Sequence, residues 1–293
     1  MRRVKTLRLG VLFVLPAVVM YSVFMFYPVV QTLWLSFFKW GGYATVAPTF
    51  VGLANFKYMF DDPVFWRSLG NVLIYLLINV VIQIPVGFLL ALFLAAAPVG
   101  MRLFKAAFFI PVVLSAVAVS LMWRFILSPD GLLNALLDAV GLGDYTTMWL
   151  VEPGVNMPTI ATVGAWQGVG YVMILLLAAL VNIPQSLVEQ AVVDGANAWQ
   201  RTIHVVVPLM RPALITNIIL LIIGSVKVCD IVFVMTGGGP VHSSEVLATY
   251  MYNTAFREGT FGLGSAIASA IFVLAALLTV ITSRAMRKQE AEF

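Results

Sequence analysis

Apolar residues fill the chain in long unbroken stretches, and polar residues collect in the gaps between them. Six stretches are long enough to cross a bilayer, which takes roughly 20 helical residues. They run over 9–37, 70–97, 104–127, 158–183, 213–236 and 263–283. Backbone in hydrocarbon must satisfy its own hydrogen bonds, so each is expected to be a helix. The stretches are apolar all round and much longer than barrel strands, which argues against a barrel. Turn chemistry marks the gaps, as at Gly41-Gly42, Pro63, Pro129-Asp130-Gly131, Pro153-Gly154 and Gly237-Gly238-Gly239-Pro240. The first stretch follows Arg2, Arg3, Lys5 and Arg8, as a signal peptide would. It runs on through Tyr27, Pro28 and Trp34 with no small-residue cleavage site, so a retained first helix is expected.

Composition agrees with this pattern. Hydrophobic residues make up 61% of the 293 and charged residues only 10%, where a soluble domain carries about 25% charged. An ordinary globular domain is thereby excluded. The formal charge of +4 leaves a nucleic-acid partner to be considered, and the positions of the charges answer it. If the N-terminus is inside, inner segments hold Arg2, Arg3, Lys5, Arg8, Arg102, Lys105, Arg201, Arg211, Arg284, Arg287 and Lys288, which is 11 of the 17 basic residues. Asp61, Asp62, Asp130, Asp138, Asp144, Glu152, Glu245 and Glu258 then fall outside. This bias predicts cytoplasmic termini, with the basic residues as membrane anchors and no nucleic-acid site. The one cysteine, Cys229, has no partner for an intrachain disulfide, and His204 and His242 lack metal-ligand spacing.

The second inner loop, 184–212, is longer than a connector requires. Ser186 and Glu189 form an S-x-x-E pattern after Pro184, which predicts a capped helix start. Ala191, Gly195 and Ala198 keep one side small, and Gly195 invites a bend. Trp199, Ile203 and Val207 supply apolar contacts, and Pro208 and Pro212 are expected to stop the helix and restart it as the fifth span. The expectation is a short helix, a bend, a second short helix and a turn. Such a segment either docks on a protein or lies on the lipid surface.

The run Glu189-Gln190-Ala191-Val192-Val193-Asp194-Gly195-Ala196, with Val205, Val207 and Pro208 downstream, resembles the EAA motif of bacterial ABC importer permeases. Gln190 departs from the usual Ala, and Val replaces the usual Ile and Leu. Other segments resemble the carbohydrate, maltose-type branch. They are Phe50-Val51-Gly52-Leu53-Ala54-Asn55-Phe56 with Asp62-Pro63 and Phe65-Trp66, Trp123-Arg124 with Pro129 to Asn134, Trp166-Gln167 with Gly170-Tyr171, and Lys227, Asp230 and Met235 to Pro240. Cys229 stands where that branch commonly has Phe.

The resemblance covers nearly the whole chain. It implies an all-α membrane protein of the type I importer permease fold, with six transmembrane helices, in the bacterial inner membrane. It also implies an ATPase-docking loop carried by Glu189, Ala191, Asp194, Gly195, Ala196 and Pro208. The implied partners are a homologous second permease, two ABC ATPase subunits, an extracytoplasmic substrate-binding protein and membrane lipid, with a sugar as cargo. ATP and Mg would be bound by the partner ATPase, since the chain has no G-x-x-x-x-G-K-[ST] and no cofactor of its own is expected. The expected organisation is a tail, first helix and first outer loop in 1–66, a five-helix core in 67–284 and a tail in 285–293.

Polar residues inside spans are costly and often functional. Lys227 and Asp230 lie three apart and are expected on one helix, as a self-neutralising pair or beside a translocation path. Gln167 and Tyr171, with Trp166, offer amide and aromatic groups suited to a sugar; the alternative is an interfacial belt. Asn79 and Gln83 read as interhelical glue, and Pro85 and Pro111 as kinks. Competing functions are import of a polyol or glycerol phosphate by the same machinery, and an ion-driven secondary carrier. A carrier of that kind usually shows internal repeats and buried acids, and here no repeat appears. A membrane enzyme would need a paired-carboxylate, nucleophile–His or metal set, which the chain lacks.

Overall fold

The structure, a computed structural model, describes residues 14–43, 45–96 and 99–290. Five helices are long and apolar enough to cross a membrane, and a bent pair makes a sixth if it is one broken span. Arg2, Arg3, Lys5 and Arg8 lie outside the described residues. The chain folds as two compact units, one of residues up to Pro63 with Met251–Phe272, the other of Val64–Tyr250 with residues from Val273 on.

In the first unit, helix α1 (Val14–Leu35) buries no residue of its most apolar window. A two-stranded antiparallel ribbon follows, β1 (Phe38–Lys39) on β2 (Thr49–Phe50), with Phe38 opposite Phe50. Helix α2 (Ala54–Asp61) is tied to the end of α1 by Asn55, whose amide donates to the Ser36 and Phe38 carbonyls at 2.8 and 3.0 Å. Trp40 packs on Phe261 at 5.7 Å between ring centres.

The second unit is built around α3 (Pro63–Ala95), α7 (Asn156–Val181) and α9 (Ala198–Val226). Their shared core holds Ala91, Leu94, Val172, Met173, Leu176 and Met210. Apolar packing alone cannot bring α4 (Met101–Val113) against α7; a small residue is needed, and Gly170 provides it. A Cβ there would stand 2.0 Å from the Phe108 carbonyl oxygen. Pro85 sits within an unbroken α3.

Several expected boundaries move. The 104–127 stretch is α4 and α5 (Ala116–Ile126), bent by 96° about Leu114 and Ser115. Both residues are extended, and the Ser115 side chain caps α5 through Ala118 N–H at 3.1 Å. The 213–236 stretch also divides. Helix α9 starts far upstream at Ala198 and ends at Val226, and α10 (Asp230–Met235) follows a break. Pro208 and Pro212 therefore do not stop the helix. The turn before Pro208 widens to a π form over Thr202–Val206, which accommodates a residue with no N–H to give.

Short helix α6 (Leu132–Ala139) lies between α5 and α7. The loop after α10 is sewn to α3 and α7. Asn71 donates to the carbonyls of Ser243 and Glu245 at 2.9 and 2.8 Å, and Asn156 to Ser243 Oγ at 2.6 Å. The Glu245 carboxylate, 2% exposed, meets His242 Nδ1 at 2.8 Å. Helices α11 (Leu247–Tyr252) and α12 (Phe261–Glu290) complete the chain.

The Gly170 contact gives a direct check. Gly170→Val should destabilise the protein by about 3 kcal/mol or more, since backbone rather than a flexible side chain blocks the new Cβ. Thermal unfolding of the detergent-purified variant measures this, and an unchanged midpoint contradicts it.

Candidate functional site

Two parts of the second unit bring the sequence-predicted residues together. The first is the segment joining α7 to α9. Helix α8 (Gln185–Val193) begins after Pro184 with no side-chain cap, so the expected Ser186–Glu189 box does not form. The box forms one helix later. Asn197 Oδ1 accepts from Gln200 N–H and Gln200 Oε1 accepts from Asn197 N–H, both at 2.9 Å, at the start of α9.

The bend between the two helices is a Schellman closure. Gly195 N–H donates to the Val192 carbonyl at 3.0 Å and Ala196 N–H to the Ala191 carbonyl at 2.9 Å. Gly195 takes φ +82, the left-handed region that a side chain disfavours, and the space where a Cβ would point is open. Ala191, Gly195 and Ala196 are thus joined by one backbone motif, with Asp194 as the capping residue. Glu189 is exposed on α8, and Pro208 lies past the π turn in α9. Large apolar side chains of this segment are exposed, Val193 at 87% and Trp199 at 71%, with Val192 and Ile203 exposed as well. An exposed apolar cluster on a short, rigidly closed bend is a surface shaped for burial against something else.

The second part is a cavity of about 330 Å³ among α3, α4, α7 and α9. Its polar lining comes from Tyr75, Asn79, Gln83, Gln167, Tyr171 and Ser225, and no acidic or basic side chain joins them. Two glycines one turn apart on α7 make room for it. A Cβ at Gly164 would stand 2.2 Å from the Tyr75 hydroxyl, and one at Gly168 would stand 2.6 Å from Gln83 Oε1. Gln83 Nε2 donates to Asn79 Oδ1 at 2.5 Å, and Asn79 Nδ2 to the Tyr75 carbonyl at 2.8 Å. Gln167 Nε2 donates to the Leu114 carbonyl at 3.2 Å.

Of the predicted pathway residues, Gln167 and Tyr171 line this cavity and Trp166, Lys227 and Asp230 do not. Trp166 packs edge-on against Trp123, 5.5 Å between ring centres. Lys227 and Asp230 do not share a helix. Lys227 is the C-cap of α9 and Asp230 opens α10, so each charge meets the helix end of opposite polarity. No ion pair joins them among the described residues. Asn79 and Gln83 are more than glue, since they face the cavity. Their i, i+4 spacing with Tyr75 on one face of α3 was the signal in the sequence.

Known proteins resemble the chain along most of its length. Residues 83–290 match the family described as "Binding-protein-dependent transport system inner membrane component". The probable ABC transporter permease protein YurN of Bacillus subtilis is 34% identical over 284 residues, covering 96% of this chain and 97% of that protein. The lactose transport system permease protein LacF of Rhizobium radiobacter is 34% identical over 289 residues, covering 96% and 95%. Among solved structures, a bacterial alginate ABC transporter in complex with alginate pentasaccharide-bound periplasmic protein has a chain of the same fold. The TM-score is 0.84 at 22% identity, over 98% of this chain and 96% of that one.

The capping box is testable on its own. Asn197→Ala should weaken the start of α9 by about 1 kcal/mol, so that amide exchange at Trp199 and Gln200 quickens roughly fivefold. Unchanged exchange in that turn would show that the box does not hold the helix start.

Proposed function

We propose, for a chain that belongs to the family of binding-protein-dependent transport system inner membrane components, that it forms one half of the pathway for a neutral sugar or oligosaccharide. It is a multi-pass membrane protein and the permease part of a binding-protein-dependent importer. On our reading it crosses the bacterial inner membrane six times, counting α4 and α5 as one broken span, and both termini are cytoplasmic. A homologous second permease supplies the other half. Two ATPase subunits, which bind ATP and Mg, dock on the 184–212 loop, and an extracytoplasmic binding protein delivers cargo.

The observation that carries the cargo assignment is the uncharged polar lining of the cavity. Amide and phenol groups hydrogen-bond to hydroxyls, and the Tyr75 and Tyr171 rings offer faces to C–H groups. A phosphorylated cargo needs cationic or helix-terminal partners, and no Lys or Arg lines the cavity. This favours a sugar or polyol over glycerol phosphate. The names of the relatives, lactose transport among them, agree with it. The exposed Val193 and Trp199 on the α8–α9 bend support the docking role. Their surface is too local for a lipid-lying helix, because the Schellman closure holds α8 to nine residues.

The docking assignment predicts opposite outcomes for two substitutions at one residue. Gly195→Leu meets open space within the chain and strains only the local left-handed backbone, so the protein should reach the membrane, yet ATP-driven uptake should be abolished as the partner cleft is blocked. Gly195→Asn tolerates the left-handed backbone and should retain about half or more of the uptake. Normal uptake by the Leu variant would refute the docking role. For cargo, ATP hydrolysis by the reconstituted importer with its binding protein should rise with a neutral saccharide and not with glycerol 3-phosphate. The reverse order would overturn the neutral-sugar reading.

A further inference from the structure

The corner between α4 and α5 interrupts the helical hydrogen bonding of the third span. Leu114 and Ser115 are both extended, and the two half-helices turn through 96° there. A corner frees carbonyls at the end of α4 and N–H groups at the start of α5. The α5 side is met locally by the Ser115 hydroxyl, which accepts from Ala118 N–H. The Leu114 carbonyl is met from a different helix, by the Gln167 side-chain amide at 3.2 Å. That same amide lines the cavity, beside Val112 from the last turn of α4. Non-helical backbone at membrane depth is tolerated only where it is buried in protein or lines a water-filled space. One side chain therefore faces both the corner and the space that the corner borders.

We propose that Gln167 is the positioning residue that holds the corner of the third span, and that cargo entering the cavity competes for its amide and frees the corner to move. This rests on the cavity being the cargo path. A primary amide has two donors and two acceptor sites. A cargo hydroxyl that accepts from the N–H given to Leu114, or that turns the amide toward itself, takes that donor from Leu114, and the freed carbonyl turns to cavity water or to a second cargo hydroxyl. Hydrogen bonds exchange and no proton is transferred. The bend of the span then reports whether the cavity is filled. Tyr171, one turn along α7, lines the same cavity and makes no bond to Leu114, so it is the natural contrast.

The test uses the assembled importer in lipid nanodiscs on a cysteine-free background that includes Cys229→Ser. Spin labels at Phe104→Cys on α4 and Phe125→Cys on α5, both exposed positions, report the corner as a distance distribution. Gln167→Met keeps the arm length and removes the donor; without cargo it should broaden the distribution, and with cargo saccharide uptake should fall about tenfold, as the corner carbonyl has lost its side-chain partner. Tyr171→Phe should alter the uptake KM and leave the distribution as in the unsubstituted protein. Should Gln167→Met fail to assemble, Gln167→Asn carries the test, since it keeps the amide and withdraws it by one carbon; a broadened distribution is again expected. An unchanged distribution in the Gln167 variants, with uptake reduced, makes Gln167 a cargo contact only and overturns the proposal while the cargo reading stands. A broadened distribution in an importer that moves no saccharide overturns the cargo reading and leaves Gln167 as the holder of the corner.

Discussion

Every peptide group in a membrane-spanning segment has to find a partner inside the protein, because hydrocarbon offers none. Long helices meet most of that demand by themselves, as α3, α7 and α9 do, and fall short only locally, at prolines such as Pro85 and Pro212. Wherever the chain stops being helical at depth, another group must step in. At the corner after α4 it is the Gln167 amide. At the end of α10 it is Arg124, whose guanidinium donates to the Val234 carbonyl at 3.2 Å. In the loop after α10 the partners are Asn71 and Asn156 from two different helices. Gln167, Arg124, Asn71 and Asn156 are thus placed where regular backbone fails.

The same accounting explains the small residues of the α8–α9 bend, where the sequence resembles the EAA motif. Its Ala–Gly spacing is the spacing of a Schellman closure. Ala191 supplies the carbonyl, Gly195 the left-handed residue and Ala196 the N–H that closes the ring. The same small residues leave open space beside the bend, as at Gly195. Gln190 points to no part of this closure through its side chain, since only its backbone carbonyl is used, in the bond to Asp194 N–H. Its departure from the usual Ala therefore leaves the bend intact.

Much of the fold was legible because hydrophobic length is a strong signal: every expected span overlaps a long helix or the bent helix pair. What hydrophobicity cannot report is where a span breaks, since Leu114-Ser115 and Lys227 to Cys229 are as compatible with a helix as their neighbours. At Leu114 the broken backbone is met from another helix, by Gln167, a contact that hydrophobicity does not encode. Pro208 misled for a related reason: a π turn absorbed the missing N–H that would otherwise have ended the helix. The Lys227–Asp230 pair failed because their spacing meant something only on a continuous helix. Within the site, Gln167 and Tyr171 could be picked out as polar groups in an apolar run. Asn79 and Gln83 were visible too, but their facing the cavity depends on Gly164 and Gly168 across the interface, a relation between two helices that spacing on one cannot show.

The central claim is that the uncharged polar cleft between α3 and α7 is the path itself. Tyr171→Cys lies on its wall and is exposed, while Leu77→Cys on α3 is exposed but does not line the cleft. Labelling both with a membrane-impermeant thiol reagent, in vesicles of the assembled importer on a Cys229→Ser background, separates path from lipid. The account predicts that Tyr171→Cys reacts from the cytoplasmic face at rest and from the opposite face in the vanadate-trapped complex, while Leu77→Cys stays unlabelled. A Tyr171→Cys that reacts no faster than Leu77→Cys, or from both faces at once, would contradict it.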